Sequence, residues 1–268
     1  MNTAATLPSG LAVTGSTGRI GRMLGRVWQG SDTAWLKRSD RIADRLDDRR
    51  CLVALAGVTR GDDTALAGNS DSALRALSAA EQAGVARVLI FSSAAIYGRA
   101  DGPLTEAQAP TPISAYGMAK ARMEDTVRAW ADARPAGPEV VILRLGNVAG
   151  ADALLSRTDA TAPALDIFAD GRSCRRSYMG PATLAQTLAA LGRHPDRLPP
   201  ILNISTPRTV EMAALLNTEG RAWVARRPRP DAIPEVRLNT SLLQDIIPLD
   251  QGSADPARIV REWREVCG

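Results

Sequence analysis

The 268-residue sequence has few of the residues that build disulfides, metal sites and nucleic-acid interfaces. Three cysteines (Cys51, Cys174 and Cys267) are too few and too scattered for a disulfide framework or a zinc site. His194 is the only histidine, so no metal site is expected around it. Only 4% of the residues are aromatic, and the net charge of +4 is spread without a long basic tract. Nucleic acid is therefore not expected as a partner.

The sequence also lacks the segments that direct a chain to a membrane or out of the cell. No run of about 18 uncharged apolar residues occurs, so no transmembrane helix and no membrane partner are expected. Residues 1–10 have neither a basic start nor an apolar stretch, so no secretory signal is expected. Together with the scarce cysteines, these absences predict a protein of the reducing cytoplasm.

Lysine is nearly absent as well. Only two of the 33 basic residues are lysines, Lys37 and Lys120, and the others are arginines. Because the two side chains differ in geometry and in the ease with which their pKa shifts, each lysine is a candidate functional residue.

Strand and helix patterns alternate through the first half of the chain. Apolar runs predict strands at 10–14, 33–36, 52–56, 85–91 and 140–145. Helical periodicity and start and stop signals predict intervening helices, two of them at 64–83 and 114–134. This alternation predicts an α/β fold with a doubly wound parallel sheet, which is a Rossmann-like architecture. After Gly150, prolines and glycines break the pattern, and a small irregular C-terminal lobe is expected.

A glycine-rich turn follows the first predicted strand, with the sequence Thr-Gly-Ser-Thr-Gly-Arg-Ile-Gly from Thr14 to Gly21. Glycines here permit a sharp turn and let backbone N–H groups approach a pyrophosphate at the positive end of the following helix. The alternative is an ordinary glycine-rich turn. The context in a βαβ chain favours a dinucleotide site that includes Gly15, Ser16, Thr17, Gly18, Arg19 and Ile20.

Tyr116 and Lys120 stand four residues apart in a predicted helix, so both side chains lie on one face. A nearby ammonium lowers the pKa of a phenol, which predicts that Tyr116 exchanges a proton near neutral pH. Chance rarely produces this pair in a chain with three tyrosines and two lysines. Ser93 lies at the C-terminal end of a predicted strand, where doubly wound folds place ligands. Taken alone, Ser93 is equally well interpreted as a solvated turn serine.

Together these residues resemble the extended short-chain dehydrogenase/reductase family, in the branch of NAD(P)-dependent epimerases and dehydratases that act on nucleotide sugars. The resemblance runs from about Gly10 to about Ser205. It implies that Ser93, Tyr116 and Lys120 form a catalytic triad in which Tyr116 and Lys120 also contact the cofactor. It further implies cofactor contacts from Leu55, Ala56 and Gly57, and substrate contacts from Ser93, Asn147 and Arg176.

The function implied by this resemblance is that of an oxidoreductase or epimerase that exchanges hydride with a secondary alcohol or ketone, in a nucleotide sugar. One alternative is a reductase of a smaller carbonyl compound. Another is a non-catalytic NAD(P)-binding sensor, although such proteins have often lost the Tyr–Lys pair. The expected division is a dinucleotide-binding domain (1–148 with 181–205) and a substrate lobe (149–180 with 206–268). A homodimer is also expected.

Two departures from the family pattern bear on function. Only 14 residues, Lys37 to Arg50, separate the second predicted strand from the next one. The family normally has a helix, a third strand and an adenine-contacting aspartate there, so this unit is shortened or lost. Ala94 and Ala95 stand where nucleotide-sugar 4,6-dehydratases carry an Asp–Glu pair, which disfavours dehydration.

The residues after the second predicted strand bear on the choice of cofactor. In NAD enzymes an acidic residue about 20 positions beyond the glycine turn binds the ribose 2′-hydroxyl, whereas a basic residue accommodates a 2′-phosphate. Lys37 and Arg38 occupy that region, and Arg19 adds a cation within the turn. NADP is therefore slightly favoured over NAD. The alternative is that Lys37 and Arg38 belong to a solvated loop and that Asp40 binds a 2′-hydroxyl.

Overall fold

The structure is a computed structural model that describes residues 7–99, 102–156 and 161–267. The strands are β1 (Leu11–Thr14), β2 (Ala34–Leu36), β3 (Cys51–Ala54), β4 (Arg87–Ser93), β5 (Pro103–Leu104), β6 (Glu139–Leu145), β7 (Asn147–Val148), β8 (Ala164–Asp166), β9 (Arg175–Met179), β10 (Ile201–Ile204), β11 (Thr209–Glu211), β12 (Val224–Arg226) and β13 (Glu235–Leu238). The helices are α1 (Arg19–Val27), α2 (Asp63–Gln82), α3 (Ala115–Asp132), α4 (Pro181–Arg193), α5 (Met212–Glu219), α6 (Ser241–Ile246) and α7 (Pro256–Cys267). Short 3₁₀ turns lie at Ala43–Arg45, Ala94–Tyr97 and Gln251–Ala254.

The first compact unit is built around a six-stranded sheet in the order β10-β6-β4-β3-β1-β2. It comprises Met1–Gly98, Ala109–Leu145 and Ala185–Leu202. Neighbouring strands from β2 to β6 in this order pair in parallel. Every residue of β1 and β3 is buried, as expected for a parallel sheet covered on both faces. The predicted α/β fold with a doubly wound parallel sheet is therefore confirmed.

The sheet ends at β2, and the chain returns to β3 through a short segment. Within the described residues this segment contains only the 3₁₀ turn Ala43–Arg45 between the two strands. Leu46 is buried in the same hydrophobic cluster as Leu77 and Ala80 of α2, and Ile42 packs against that cluster. The segment thus packs against α2 where the sequence predicts a shortened or lost third strand unit.

The second compact unit comprises Arg99–Gln108, Gly146–Leu184 and Asn203–Gly268. Its larger sheet has the order β11-β9-β13-β5, with β7 paired to β9, and β12 pairs with β8 in a separate ribbon. Its strands are two to five residues long, which fits the weak periodicity of this part of the sequence. Leu155, Leu216 and Ile259 belong to its hydrophobic core. The domain boundaries drawn from the sequence remain a proposal.

Local capping interactions fix where the two long helices of the first unit begin. The Asp62 carboxylate accepts a hydrogen bond from Ala65 N at 2.8 Å and caps α2. The Ser114 hydroxyl accepts one from Gly117 N at 3.0 Å and caps α3. Such caps satisfy backbone donors that the first helical turn leaves without partners. None of the helices within the described ranges is long and apolar enough to cross a membrane.

Candidate active site

The glycine turn after β1 packs directly against the loop that follows β3. Gly15 has φ of +70°, in the left-handed region that favours glycine. A Cβ atom at Gly15 would lie 2.8 Å from Ala56 N, and one at Gly21 would collide with the Gly15 carbonyl oxygen. Both positions therefore require glycine for this close approach. The turn leads into the N-terminus of α1, where backbone N–H groups favour an anion.

A groove of about 960 Å³ runs along this turn, and every residue that lines it belongs to the first unit. Its walls include the predicted cofactor residues Gly15, Thr17, Gly18, Lys37, Arg38, Leu55, Ala56 and Gly57. Ser16, Arg19 and Ile20 are not part of the lining found among the described residues. Ser16 instead anchors the turn, because its hydroxyl donates to Leu36 O at 2.9 Å. The groove has the size of a dinucleotide site, and it includes the glycine turn that leads into the N-terminus of α1. Both features fit a bound dinucleotide.

The groove loop after β3 is held by a buried asparagine. Asn69 is 1% exposed, and its side-chain oxygen accepts from Val58 N at 3.2 Å. Its amide nitrogen donates to Val58 O at 3.0 Å and to Leu66 O at 2.8 Å. Asn69 therefore fixes the backbone of residues 57–58 against the start of α2.

Ser93 and Tyr116 meet where β4 ends and α3 begins. Ser93 is the last residue of β4, and its hydroxyl accepts from Ala95 N at 3.2 Å at the start of the 94–97 turn. Gly117 lies so close to this turn that a Cβ atom there would collide with the Ala95 carbonyl oxygen. This approach brings the first turn of α3 beside β4, and the Ser93 and Tyr116 side chains share a hydrogen bond.

Lys120 lies one helical turn after Tyr116 and is only 5% exposed. Its ammonium donates to Phe91 O at 2.8 Å. A Cβ atom on Gly57 would lie 3.4 Å from Lys120 Nζ, so the ammonium is beside the groove loop. Burial lowers the pKa of Lys120 to about 8, although the nearby Glu124 carboxylate acts in the opposite direction.

The pKa of Tyr116 differs from the sequence expectation. The i, i+4 spacing predicts that Lys120 lowers the pKa of the phenol. In the structure burial of the ring is the largest effect and raises the pKa of Tyr116, while the hydrogen bond with Ser93 opposes the rise. The phenol is consequently protonated at neutral pH, which suits a proton donor.

A buried polar network lies behind these side chains. Glu124 of α3 and Arg144 of β6 form an ion pair at 2.8 Å, with both side chains at most 1% exposed. Ser92 donates to Glu124 Oε1 at 2.5 Å, and Arg144 donates to the Tyr97 hydroxyl at 3.0 Å. Sequence reasoning did not identify this network. Its one available signal is that Glu124 follows Lys120 by four residues on the same buried helix face.

Asn147 and Arg176, the predicted substrate residues, lie on neighbouring strands of the second unit. Asn147 is opposite Tyr178 in the β7–β9 pairing, and their side chains share a hydrogen bond. The Tyr178 hydroxyl also donates to Asp152 Oδ2 at 2.5 Å. Arg176 donates to Arg175 O at 2.7 Å. Tyr178 and Asp152 thus belong to this cluster, although the sequence did not mark them as functional.

Two characterised enzymes are similar to parts of this sequence. A 2′-dehydrokanamycin reductase from Streptomyces kanamyceticus is 37% identical over 136 residues, which cover 44% of this chain and 37% of that protein. A UDP-glucose 4-epimerase from Azospirillum brasilense is 42% identical over 86 residues, which cover 31% of this chain and 24% of that protein. The similar regions therefore span less than half of either relative.

Structural comparison extends over almost the whole chain. The solved structure of TunA, an NAD dependent NDP-hexosamine 5,6-dehydratase of tunicamycin biosynthesis, is 24% identical with a TM-score of 0.74. The match covers 95% of this chain and 97% of that one, and it establishes the fold. The model of the NAD dependent epimerase/dehydratase family matches residues 11–174. This segment is more than half of the chain and holds the glycine turn, Ser93, Tyr116 and Lys120. The chain therefore belongs to the NAD dependent epimerase/dehydratase family.

Proposed function

We propose that the protein is an NAD(P)-dependent oxidoreductase or epimerase that acts on a secondary alcohol or ketone of a nucleotide sugar. The observation that carries this proposal is the cluster of Ser93, Tyr116 and Lys120 next to a groove of dinucleotide size. A non-catalytic sensor would not need a phenol, a hydroxyl and an ammonium arranged in this way. When bound, the cofactor supplies or accepts the hydride.

In this proposal Tyr116 moves the proton. Its raised pKa keeps the hydroxyl protonated, so in the direction of reduction it donates a proton to the carbonyl oxygen that becomes the alcohol. Ser93, which is already hydrogen-bonded to Tyr116, orients the same oxygen. Lys120 is positively charged below its pKa of about 8 and stabilises the phenolate that remains on Tyr116. In oxidation the same groups act in reverse.

Replacement of Tyr116 by Phe tests the proposal. We expect turnover to fall by a factor on the order of 10² or more, because the proton donor is lost while the ring remains. Cofactor affinity should change little. Thr126→Ala is the control, since it removes an exposed hydroxyl that donates to Arg122 O within the same helix. Steady-state rates with a panel of nucleotide sugars provide the measurement, and near-normal turnover of Tyr116→Phe would exclude the proposed role.

We also propose that the enzyme does not catalyse 4,6-dehydration. Ala94 and Ala95 follow Ser93 on the 3₁₀ turn and provide neither the acid nor the base that elimination of water needs. Dehydratases occur among the structural neighbours, so the proposal rests on these two side chains alone. Mass spectrometry of the products would reveal the loss of one water and contradict it.

We propose that the enzyme slightly prefers NADP(H) to NAD(H). Lys37 and Arg38 line the groove, and neither forms an ion pair with any described residue. The Asp40 carboxylate accepts a hydrogen bond from Lys37 N at 2.8 Å, so it is engaged in the local turn. A 2′-phosphate would balance the two free cations, whereas a 2′-hydroxyl would not.

A reductase of a smaller carbonyl compound is the second candidate function. The protonated state of Tyr116 favours it, because reduction of a ketone requires a proton donor. Such an enzyme consumes one reduced cofactor per product, whereas an epimerase leaves the cofactor level unchanged.

The cytoplasmic location and the homodimer are further proposals, for which cell fractionation and sedimentation are the measurements.

A further inference from the structure

One wall of the groove is a face of α2. Ser72, Arg75, Ser78 and Gln82 line the groove from this helix, and their spacing of three or four residues places them on one helical face. The sheet ends at β2, and the short segment before β3 leaves this face of the helix open to the groove. Leu74 and Arg75, in the middle of α2, line the same groove as Lys37 and Arg38, which follow β2.

The charges along the groove are unbalanced, because four cations line it against one carboxylate, that of Asp40. Lys37, Arg38 and Arg75 all line it, and none of the three forms an ion pair within the described part of the chain. Arg41 also lines the groove but lies 3.7 Å from the carboxylate of Asp44. Uncompensated cations in one groove repel each other, and an anion that binds among them relieves this repulsion.

One hydrogen bond also restricts the orientation of the Arg75 side chain. Its Nη2 donates to Ser72 Oγ at 3.2 Å, one turn earlier on the same helix. This neutral contact uses one of the five guanidinium donors and leaves the charge uncompensated. The planar guanidinium can donate two parallel hydrogen bonds to a phosphate.

We propose that Arg75 determines cofactor specificity by binding the 2′-phosphate of NADP(H) together with Lys37 and Arg38. This inference rests on the proposed oxidoreductase function and assigns to α2 a recognition task that the sequence places after β2 and in the glycine turn. The shortened segment between β2 and β3 makes it possible, because it leaves Arg75 at the groove wall. The guanidinium recognises the phosphate by charge, so it discriminates NADP(H) from NAD(H).

Replacement of Arg75 by Ala tests the proposal through binding alone. We expect the Kd for NADP⁺ to rise about tenfold, as for the loss of one charge-assisted hydrogen bond, and the Kd for NAD⁺ to change less than twofold. Arg75→Gln, which retains length and polarity, should show the same selectivity. Arg122→Ala is the matched control, because Arg122 is an exposed arginine on α3 that does not line the groove. Isothermal titration calorimetry is the measurement.

Two outcomes would overturn the proposal. Equal weakening of both cofactors would mean that Arg75 contacts the adenine or the shared ribose instead of the 2′-phosphate. Unchanged binding of both would mean that it has no part in the site. Titration with adenosine 2′,5′-bisphosphate and 5′-AMP repeats the comparison without a nicotinamide. Because none of these titrations depends on turnover, loss of selectivity in Arg75→Ala can be established even if the proposed catalytic function fails.

Discussion

Lys120 combines burial with a positive charge, and this has consequences for stability as well as for catalysis. The side chain is 5% exposed, and its ammonium contacts a backbone carbonyl and the Met123 sulfur. Burial disfavours the charged form, which is why the pKa falls from 10.5 to about 8. Below pH 8 the folded protein carries the full cost of the buried charge.

The stability of the protein should therefore depend on Lys120 at alkaline pH. Between pH 8 and 10.5 the folded state releases the Lys120 proton before the unfolded state does, so the free energy of unfolding gains a contribution as pH rises. By linkage this contribution is on the order of 3 kcal/mol. We expect Lys120→Met to lack the gain and the exposed Lys37→Met to retain it. Urea unfolding from pH 7.5 to 10.5 measures the effect, and parallel curves for wild type and Lys120→Met would contradict it.

At the scale of elements, the Glu124–Arg144 pair joins α3 to the central sheet. Glu124 accepts from both Arg144 on β6 and Ser92 on β4, so one carboxylate connects the helix that carries Tyr116 to two strands. A buried ion pair adds little net stability, but removal of one partner leaves an uncompensated charge. The pair thus fixes the position of α3 more than it stabilises the fold.

A double-mutant cycle on this pair would separate the two effects. We expect Arg144→Met to cost about 3–5 kcal/mol of unfolding free energy, because it removes the ion-pair partner of the buried Glu124 carboxylate. The double variant Glu124→Gln with Arg144→Met should cost less than Arg144→Met alone, because the buried carboxylate is removed together with its partner. Chemical denaturation measures all four corners of the cycle. Additive losses would show that the two side chains do not act as a pair.

The elements of the first unit were more predictable than their contacts. Apolar runs predicted β1, β3, β4 and β6, and Ser114 predicted the start of α3, because these signals are local. The pairing of Pro103–Leu104 with residues 237–238 and the contact of Glu124 with Arg144 depend on residues far apart in sequence. The raised pKa of Tyr116 depends on burial, which the spacing of Tyr116 and Lys120 does not reveal.

At the scale of the whole molecule, positive charge without a matching carboxylate lies in the groove of the first unit. A net charge of +4 on 268 residues is small, yet one groove of the first unit is lined by Lys37, Arg38 and Arg75, none of which forms an ion pair with a described residue. The chain uses arginine almost everywhere else, but one of its two lysines lies at this groove and the other beside the loop that lines it. Electrostatic attraction should therefore act mainly on the cofactor and not on the surface in general.

This distribution predicts how salt affects cofactor binding. NADP⁺ carries one phosphate more than NAD⁺, and at the exposed Lys37 and Arg38 its attraction is screened by ions. We expect NADP⁺ to bind more tightly at low salt and its affinity to fall more steeply than that of NAD⁺ as salt is raised. Replacement of both Lys37 and Arg38 by Ala should reduce the difference between the two salt dependences, and the remaining difference should come from Arg75. Titration of both cofactors at low and moderate ionic strength is the measurement. Tighter binding of NAD⁺ than of NADP⁺ at low salt would show that Lys37 and Arg38 do not recognise the 2′-phosphate. The same conclusion would follow if the double variant kept the full difference between the two salt dependences.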